Sequence, residues 1–505
     1  MIVCEDLDLR EHIFLASWVM ADEKKLINKA FILAGGKGKR IQLSRMQNLK
    51  AFIEINNEQL LVRHIRQIQE YLAPKDTYVV ITEYENLFRE VIKSFKGVHL
   101  IFNEKLEKVD GLELLFAVRK INAHLKNDEK ALITLVDEYY DDNDFREFCH
   151  NLFGLEFSTM AAIKELTFPE EYLKNYAVVT DDKNKTISKS VEKSKTIISK
   201  HFGTGLICID KAFAQQIEKN LLEGIKTPLF SLLGHSNVSR YYVLKNFYCN
   251  INTRVDIYEL EKKIRQNKNF TIDVVIPAYL EEETISFVVH DFKDHVNQVI
   301  VANKKSTDNT ESVANESGAK VFSDHFRGYG HALKTGIAQS KADIIVLAEA
   351  DGTFRSSDLK KMIFCLMDND LVQGTRTNPS YIQYKANMNR PRIFFNKLFA
   401  SLVSFLWQNN KTSISDVGCT FRAFWREKYV RIEKNLIADG APFAPELTIE
   451  FINNGYRVIE IPVNYYPRLY GTSKFSDTYL KVSITALKML RLIILKRILY
   501  FFNKN

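Results

Sequence analysis

The chain is predicted to be α/β, with two units of the same architecture in tandem. Short apolar runs, each followed by a polar or glycine-rich turn and a helix-length segment, recur along it, which is the pattern of alternating strand and helix. That pattern starts twice, at Lys29 with Ala30-Phe31-Ile32-Leu33 and at Thr271 with Asp273-Val274-Val275-Ile276-Pro277. The length of 505 residues suits two or three domains at roughly 100–200 residues each. The expected divisions are an N-terminal extension at 1–28, a first domain at 29–263, a linker at 264–270, a second domain at 271–475 and a C-terminal basic and apolar helical segment at 476–505. The linker is read from the polar, basic stretch Lys262-Lys263-Ile264-Arg265-Gln266-Asn267-Lys268-Asn269.

Composition removes several classes. With 46% hydrophobic residues, 34 Phe and 22 Tyr, the chain carries too much core-forming material to be disordered. Its six cysteines show no CxxC spacing and read as reduced core thiols of a cytoplasmic protein. The net charge of +8 is the difference between 70 basic and 62 acidic residues spread along the chain. No RRM, zinc-finger or helix-turn-helix signature accompanies it, so nucleic acid is not an expected partner. Glu5, Asp6 and Asp8 precede the first apolar stretch, unlike the basic start of a signal peptide. No uninterrupted apolar run is long enough to span a bilayer.

The first strand runs into Leu33-Ala34-Gly35-Gly36-Lys37-Gly38-Lys39-Arg40. Three glycines let the backbone come close to a phosphate and cradle it with N–H groups. Lys37, Arg40 and, further on, Lys50 bring positive charge suited to a triphosphate and a leaving pyrophosphate.

LAGGKGKR followed by NLKAFIEINNEQLLVRHI resembles the signature of sugar-phosphate nucleotidyltransferases, and the similarity extends over about 230 residues. The resemblance implies a metal-binding Asp137 after Leu132–Val136, and a sugar-phosphate contact at Val191-Glu192-Lys193. It also implies a sugar-pocket turn at Gly203-Thr204-Gly205, and a closing segment at Asn250–Asp256 in which Asn250 and Asn252 take the place of metal ligands. The family's second carboxylate is the neutral Asn250 here, and Glu138 is a candidate substitute. The implied partners are a nucleoside triphosphate, bound by Leu33, Ala34, Gly35, Gly36 and Gly38, and a sugar phosphate. Positioning and charge neutralisation carry such chemistry more than a base does.

In the second region, Val275–Glu282 (VIPAYLEE), Ser306–Thr310 (STDNT), Gly328–Gly336 (GYGHALKTG) and Asp343–Gly352 (DIIVLAEADG) follow one another. Gly374-Thr375-Arg376, Asp416–Arg422 (DVGCTFR) and Arg468–Lys474 (RLYGTSK) complete the series. Glu349 and Asp351 lie two apart after an apolar strand, so both can face the carboxyl end of a sheet where ligands bind. Paired carboxylates there suit Mg2+ or Mn2+ on a nucleotide diphosphate.

The seven motifs in order resemble inverting family 2 glycosyltransferases, especially those acting on polyprenyl phosphates. The resemblance implies two Rossmann-like, GT-A-type nucleotide-binding domains in tandem. It implies nucleotide contacts at Pro277, Tyr279, Glu281 and Asp308, a catalytic Asp351 and acceptor-side roles for Asp416 and Arg422. Arg468 and Lys474 are expected to close over a diphosphate or lipid phosphate. Asn303-Lys304-Lys305 replaces the family's acidic pair, so base recognition is expected to differ. The C-terminal stretch from Ile484 to Phe502 includes Lys488, Arg491, Lys496 and Arg497. It reads as a membrane-surface helix or a helix packed on the second domain, not a membrane span.

The expected function is bifunctional: nucleotidyl transfer with pyrophosphate release, then glycosyl transfer from a nucleotide sugar, at or near the cytoplasmic membrane face, for a surface glycan. A nucleotidyltransferase with a degenerate sugar-nucleotide-binding module and a non-catalytic membrane scaffold stand beside it as alternatives.

Overall fold

The computed structural model describes residues 27–34, 49–55, 58–102, 112–153, 155–167, 176–192, 198–222, 233, 239–266, 268–388, 390–407, 414–471 and 479–504. The chain divides into two compact units, Met1–Glu261 and Lys262–Asn505. Residues 264–266, in the stretch read as a linker, are the end of a helix, Arg254–Gln266.

In the first unit the described residues build a nine-stranded mixed sheet. Its order is Val98–Phe102, Asp76–Ile81, Lys29–Leu33, Lys130–Leu135, His201–Asp210, Thr159–Glu165, Ser239–Leu244, Thr186–Glu192 and Tyr176–Asp181. Lys29–Leu33 is parallel to both its neighbours, and its three central residues are buried. Such continuous burial is what helices on both faces of a parallel sheet require. The register pairs Leu33 with Leu135, and the Val136 N–H donates to the Leu33 carbonyl at 3.1 Å. The chain therefore leaves both strands side by side, with Ala34 level with Val136 and Asp137 one residue further on. A small ribbon pairs Glu138–Tyr140 with Tyr248–Asn250, and the Ile251 N–H donates to the Asp137 carbonyl at 2.7 Å. This ribbon carries the distant Asn250 and Asn252 to the same edge.

The second unit has a seven-stranded sheet among its described residues, ordered Lys320–Ser323, Gln298–Asn303, Ile272–Ala278, Ile344–Leu347, Arg422–Trp425, Leu371–Thr375 and Val458–Pro462. Only Arg422–Trp425 runs against its neighbours. Ala278 pairs with Asn303 and Val275 with Leu347, so Tyr279, Lys304 and Glu349 follow three adjacent strands at one edge. The order reverses at Ile272–Ala278, between connections to either side, and ligand crevices form at such a switch point.

Four helices matter for the site: α1 (Tyr329–Ala338), α2 (Arg390–Leu406), α3 (Phe443–Asn453) and α4 (Tyr479–Lys504). Helix α1 lies on the sheet through Gly336, where an added Cβ would come within 2.5 Å of a Val275 methyl. Helix α4 packs on α3 and α2, burying Leu492, Ile493 and Lys496. Among the described residues no helix is long and apolar enough to cross a membrane.

Gly336→Ala should destabilise the second unit by about 1–3 kcal/mol, the usual cost of overpacking a core. A fall in its melting transition, followed by circular dichroism, checks this; an unchanged melt would show that α1 can retreat from the sheet at no cost.

Candidate active sites

In the first unit Asp137, placed by the strand register, accepts from Lys50 Nζ at 2.6 Å. The same ammonium donates to Asn252 Oδ1 at 2.9 Å, and Asn252 Nδ2 donates to Asn250 Oδ1 at 2.8 Å. Lys50 opens a 3-10 turn at Lys50–Phe52. Four residues that the sequence singled out thus meet at the carboxyl end of the sheet. Gly35, Gly36, Lys37, Gly38, Arg40 and Lys193 lie outside the described residues, and Glu192 is described only as the last residue of its strand.

Glu138 does not turn towards Asp137 as a second metal ligand. Its carboxylate accepts from the Gly205 N–H at 2.7 Å and from the Tyr140 hydroxyl. Burial, and secondarily the Asp137 charge, push its pKa up to about 7. Gly205 sits inside the strand His201–Asp210, where a side chain would run into Leu135 and Glu138. Glu138 and the glycines therefore shape the wall behind Asp137.

In the second unit a cavity of about 260 Å³ opens where the strands end. Its polar end holds Glu349, Asp351, Arg376, Arg392 and Arg468, while Phe395, Phe399 and Met489 line an apolar part between α2 and α4. Asp351 is almost wholly buried. Its Oδ1 accepts from the Thr353 N–H and hydroxyl at 3.0 and 2.7 Å, leaving Oδ2 to an Arg468 guanidinium nitrogen at 2.6 Å. The other arm of Arg468 lies 3.8 Å from Glu281. Glu349 Oε1 accepts from the Thr420 hydroxyl at 2.6 Å and the Tyr329 hydroxyl at 3.0 Å. Burial first, and then the neighbouring Asp351 charge, raise its pKa above the usual carboxylate value.

Asp416 and Arg422 stand behind this cavity and do not line it. Asp416 is fully buried and grips Arg376 through two side-chain bonds of 2.8 and 2.9 Å, so the cation facing the cavity is Arg376. Arg422 spends its guanidinium on the carbonyls of Cys419, Val417 and Ala444, and burial lowers its pKa to about 10. It braces the wall of the cavity from behind. Asp308 is likewise engaged, by the Thr310 N–H and hydroxyl and the Glu282 N–H. Pro277 is in the strand core of the switch point. Tyr279 is partly exposed beside it, with Lys304 Nζ 5.4 Å above its ring. Asn303 is buried and bonded to Ser306 and Ser323. Lys474 lies outside the described residues.

Tyr329, Arg376 and Thr420 were missed as site residues although each falls within a motif quoted from the sequence; only contact distances single them out. Arg392 and Phe395 carried no sequence signal, since they sit on a helix without a motif.

Among the described residues no cluster of three or more His, Cys, Asp or Glu suited to a metal occurs. Mg2+ is commonly held by one or two carboxylates together with substrate phosphates, and both sites meet that pattern. Asp137 offers one carboxylate, Glu349 and Asp351 two, and each site already attracts a cation, Lys50 or Arg468.

Residues 29–266 match the Nucleotidyl transferase family and residues 273–431 match Glycosyl transferase family 2. Protein RfbJ of Shigella flexneri is 35% identical over 112 residues, 21% of this chain and 87% of its own length. Glycosyltransferase AglJ of Haloferax volcanii is 27% identical over 221 residues, 43% of this chain and 70% of its own length. Polyprenol monophosphomannose synthase of Mycolicibacterium smegmatis is 26% identical over 229 residues, 41% of this chain and 82% of its own length. The chain is thus a transferase that joins a nucleotidyltransferase domain to a domain of glycosyltransferase family 2.

Proposed function

We propose that the first unit couples a nucleoside triphosphate to a sugar phosphate, and that the second transfers a sugar from a nucleotide sugar to a lipid phosphate. The observation that carries this is the second cavity, where two carboxylates and three guanidinium groups surround one space that continues into an apolar slot. Anionic substrates with an aliphatic tail suit such a lining. The similarity to a polyprenol monophosphomannose synthase agrees with it.

In the first unit a sugar-phosphate oxygen attacks the α-phosphorus, the bond to the β-phosphate oxygen breaks, and pyrophosphate leaves. Lys50 is placed to neutralise charge on the reacting phosphates once it is drawn from Asp137. In the second unit a lipid-phosphate oxygen attacks the anomeric carbon and the bond to the nucleoside diphosphate oxygen breaks. The acceptor is already ionised at neutral pH, so stabilising the departing diphosphate is the demanding part. Arg468 and Arg376 are positioned for phosphate charge, Arg468 held by Asp351 and Arg376 by Asp416. Mg2+ or Mn2+ bound to Asp351 and Glu349 would add Lewis-acid stabilisation to that leaving group. Lys304 over Tyr279 makes the nucleoside end cationic, which supports a base preference unlike that of relatives carrying an acidic pair.

The membrane part of the reading rests on α2 and α4. Phe394, Leu398 and Phe405 of α2 are exposed, as are Leu487, Ile498, Leu499, Phe501 and Phe502 of α4. Lys488 and Arg491 are exposed on α4 as well. Exposed apolar residues with interspersed cations fit an anionic bilayer surface.

A screen of all nucleoside triphosphates against sugar phosphates, read as pyrophosphate release, tests the first activity. Asp137→Ala should lower that release by about 10²–10³, the usual cost of one preorganised electrostatic contact; full turnover in the variant would remove Asp137 from the site. Asp351→Asn should abolish sugar transfer to a short-chain polyprenyl phosphate while pyrophosphate release continues. Retained transfer would show that the cavity is not where the sugar moves. For the membrane, Lys488→Glu with Arg491→Glu should reduce co-sedimentation with phosphatidylserine vesicles, since each cation near an anionic surface contributes about 1 kcal/mol. Equal sedimentation of variant and parent would reject the surface. These substitutions are preferable to deleting 484–505, because Thr485, Ala486 and Met489 form part of the cavity wall.

A further inference from the structure

Lys496 of α4 is buried with two carboxylates. Its Nζ lies 2.7 Å from Glu446 and 3.0 Å from Glu450, both on α3 and both buried, and it also donates to the Asn435 carbonyl. Glu446 in turn accepts from the N–H groups of Ile437 and Ala438, each at 2.8 Å. These bonds fix the start of the segment 437–442, which crosses the head of α1. There the Ala438 and Gly440 carbonyls leave room for nothing larger than glycine at Gly330. The Asp439 carbonyl presses in the same way on Gly328 and accepts from the His331 N–H at 3.1 Å. From the opposite side Lys334 donates to Asp439 at 2.8 Å and to the Leu436 carbonyl at 3.3 Å. Between the two glycines stands Tyr329, whose hydroxyl reaches Glu349 at 3.0 Å and Thr420 at 2.9 Å.

We propose that Lys496 is a positioning residue of the second site, acting through Glu446 and the segment 437–442 on Tyr329 and so on the Glu349–Asp351 pair. The inference rests on the glycosyl-transfer reading of this cavity. Its physical basis is that removing one partner of a buried ion pair leaves the other as an uncompensated buried charge. Lys496 is that partner for Glu446, and it lies more than forty residues further along the chain, on another helix. Without it Glu446 is left uncompensated, the two N–H bonds weaken, and the segment loosens against Gly328 and Gly330. Ala441 and Ala444, which line the cavity, belong to the same stretch of chain. The C-terminal helix is in this account part of the donor-binding apparatus, not only an appendage that meets a membrane.

The test measures binding of UDP, GDP, CDP and dTDP, each with Mn2+, to the full-length chain by calorimetry, beside transfer and pyrophosphate-release assays. Lys496→Met should weaken binding of the preferred nucleotide by about 10–100-fold, the usual effect of removing a group that orients a ligand-binding side chain. Lys496→Arg should restore most of the affinity, and pyrophosphate release should stay as in the parent. Lys334→Met loosens the same segment from its other side without touching α4 and should weaken binding in the same direction. It decides the matter if Lys496→Met does not fold. A mere loss of folded protein would lower the number of binding sites at unchanged Kd. Unchanged affinity in Lys334→Met, or in a folded Lys496→Met, overturns the inference. Absence of sugar transfer by the parent chain would overturn the glycosyl-transfer reading instead, while the nucleotide affinities still decide the role of Lys496.

Discussion

Both sites depend on the register of parallel strands. Backbone hydrogen bonds pair Leu33 with Leu135 in one unit and Val275 with Leu347 in the other. A parallel pair sends both chains out at the same edge, so the residues just beyond each strand are neighbours whatever their separation in sequence. A slip of one residue would turn Asp137 or Glu349 to the opposite face. The buried apolar residues on both faces oppose that slip, because it would carry a whole strand's side chains into the wrong layer. The core thus fixes charge positions that it does not touch.

At each edge the structure pairs a carboxylate with a cation from a distant segment: Asp137 with Lys50, Asp351 with Arg468, Asp416 with Arg376. The pairs differ in burial and in consequence. Asp416 is fully enclosed and engages Arg376 bidentately, an arrangement that holds a planar guanidinium in one orientation. Asp351 leaves one oxygen to Arg468 beside an open cavity, where phosphate oxygens can compete for the same guanidinium. Arg376 is therefore suited to be a fixed wall and Arg468 a partner that can be exchanged.

The fold was legible because strand and turn patterns are local. The glycine-rich turn after Leu33, and the spacing of Glu349 and Asp351 after an apolar strand, need only a few residues to be read. Asp137, Asn250 and Asn252 were legible through resemblance, and the ribbon Glu138–Tyr140 with Tyr248–Asn250 brings them together. For Arg422 the motif reports that the residue is used without saying which way it faces. In the structure it faces three carbonyls. Lys496 was read only as one of four cations in an apolar stretch. Its burial depends on Glu446 and Glu450, two acids one turn apart on another helix, and nothing in the local sequence connects them.

That last case bears on how a basic, apolar C-terminal helix is understood. Counted along the sequence, Lys488, Arg491, Lys496 and Arg497 look equivalent, each adding to attraction for an anionic surface. In the fold they divide. Lys488 and Arg491 are exposed, Arg497 lies 5.7 Å over the Trp407 ring, and Lys496 is enclosed. A lysine can extend its ammonium along an apolar stem, and here it extends inward, because two carboxylates and a carbonyl replace the water it gives up. Removing one partner of such a group costs more than the group contributes when intact, so the helix is committed to its seat on α3. A helix fixed in that way presents its exposed side, with Phe501 and Phe502, in a set orientation, while its other side, at Ala486 and Met489, closes the cavity. Substrate cavity and apolar surface are then two faces of one element, and the lipid acceptor proposed for this site would meet both on the same helix.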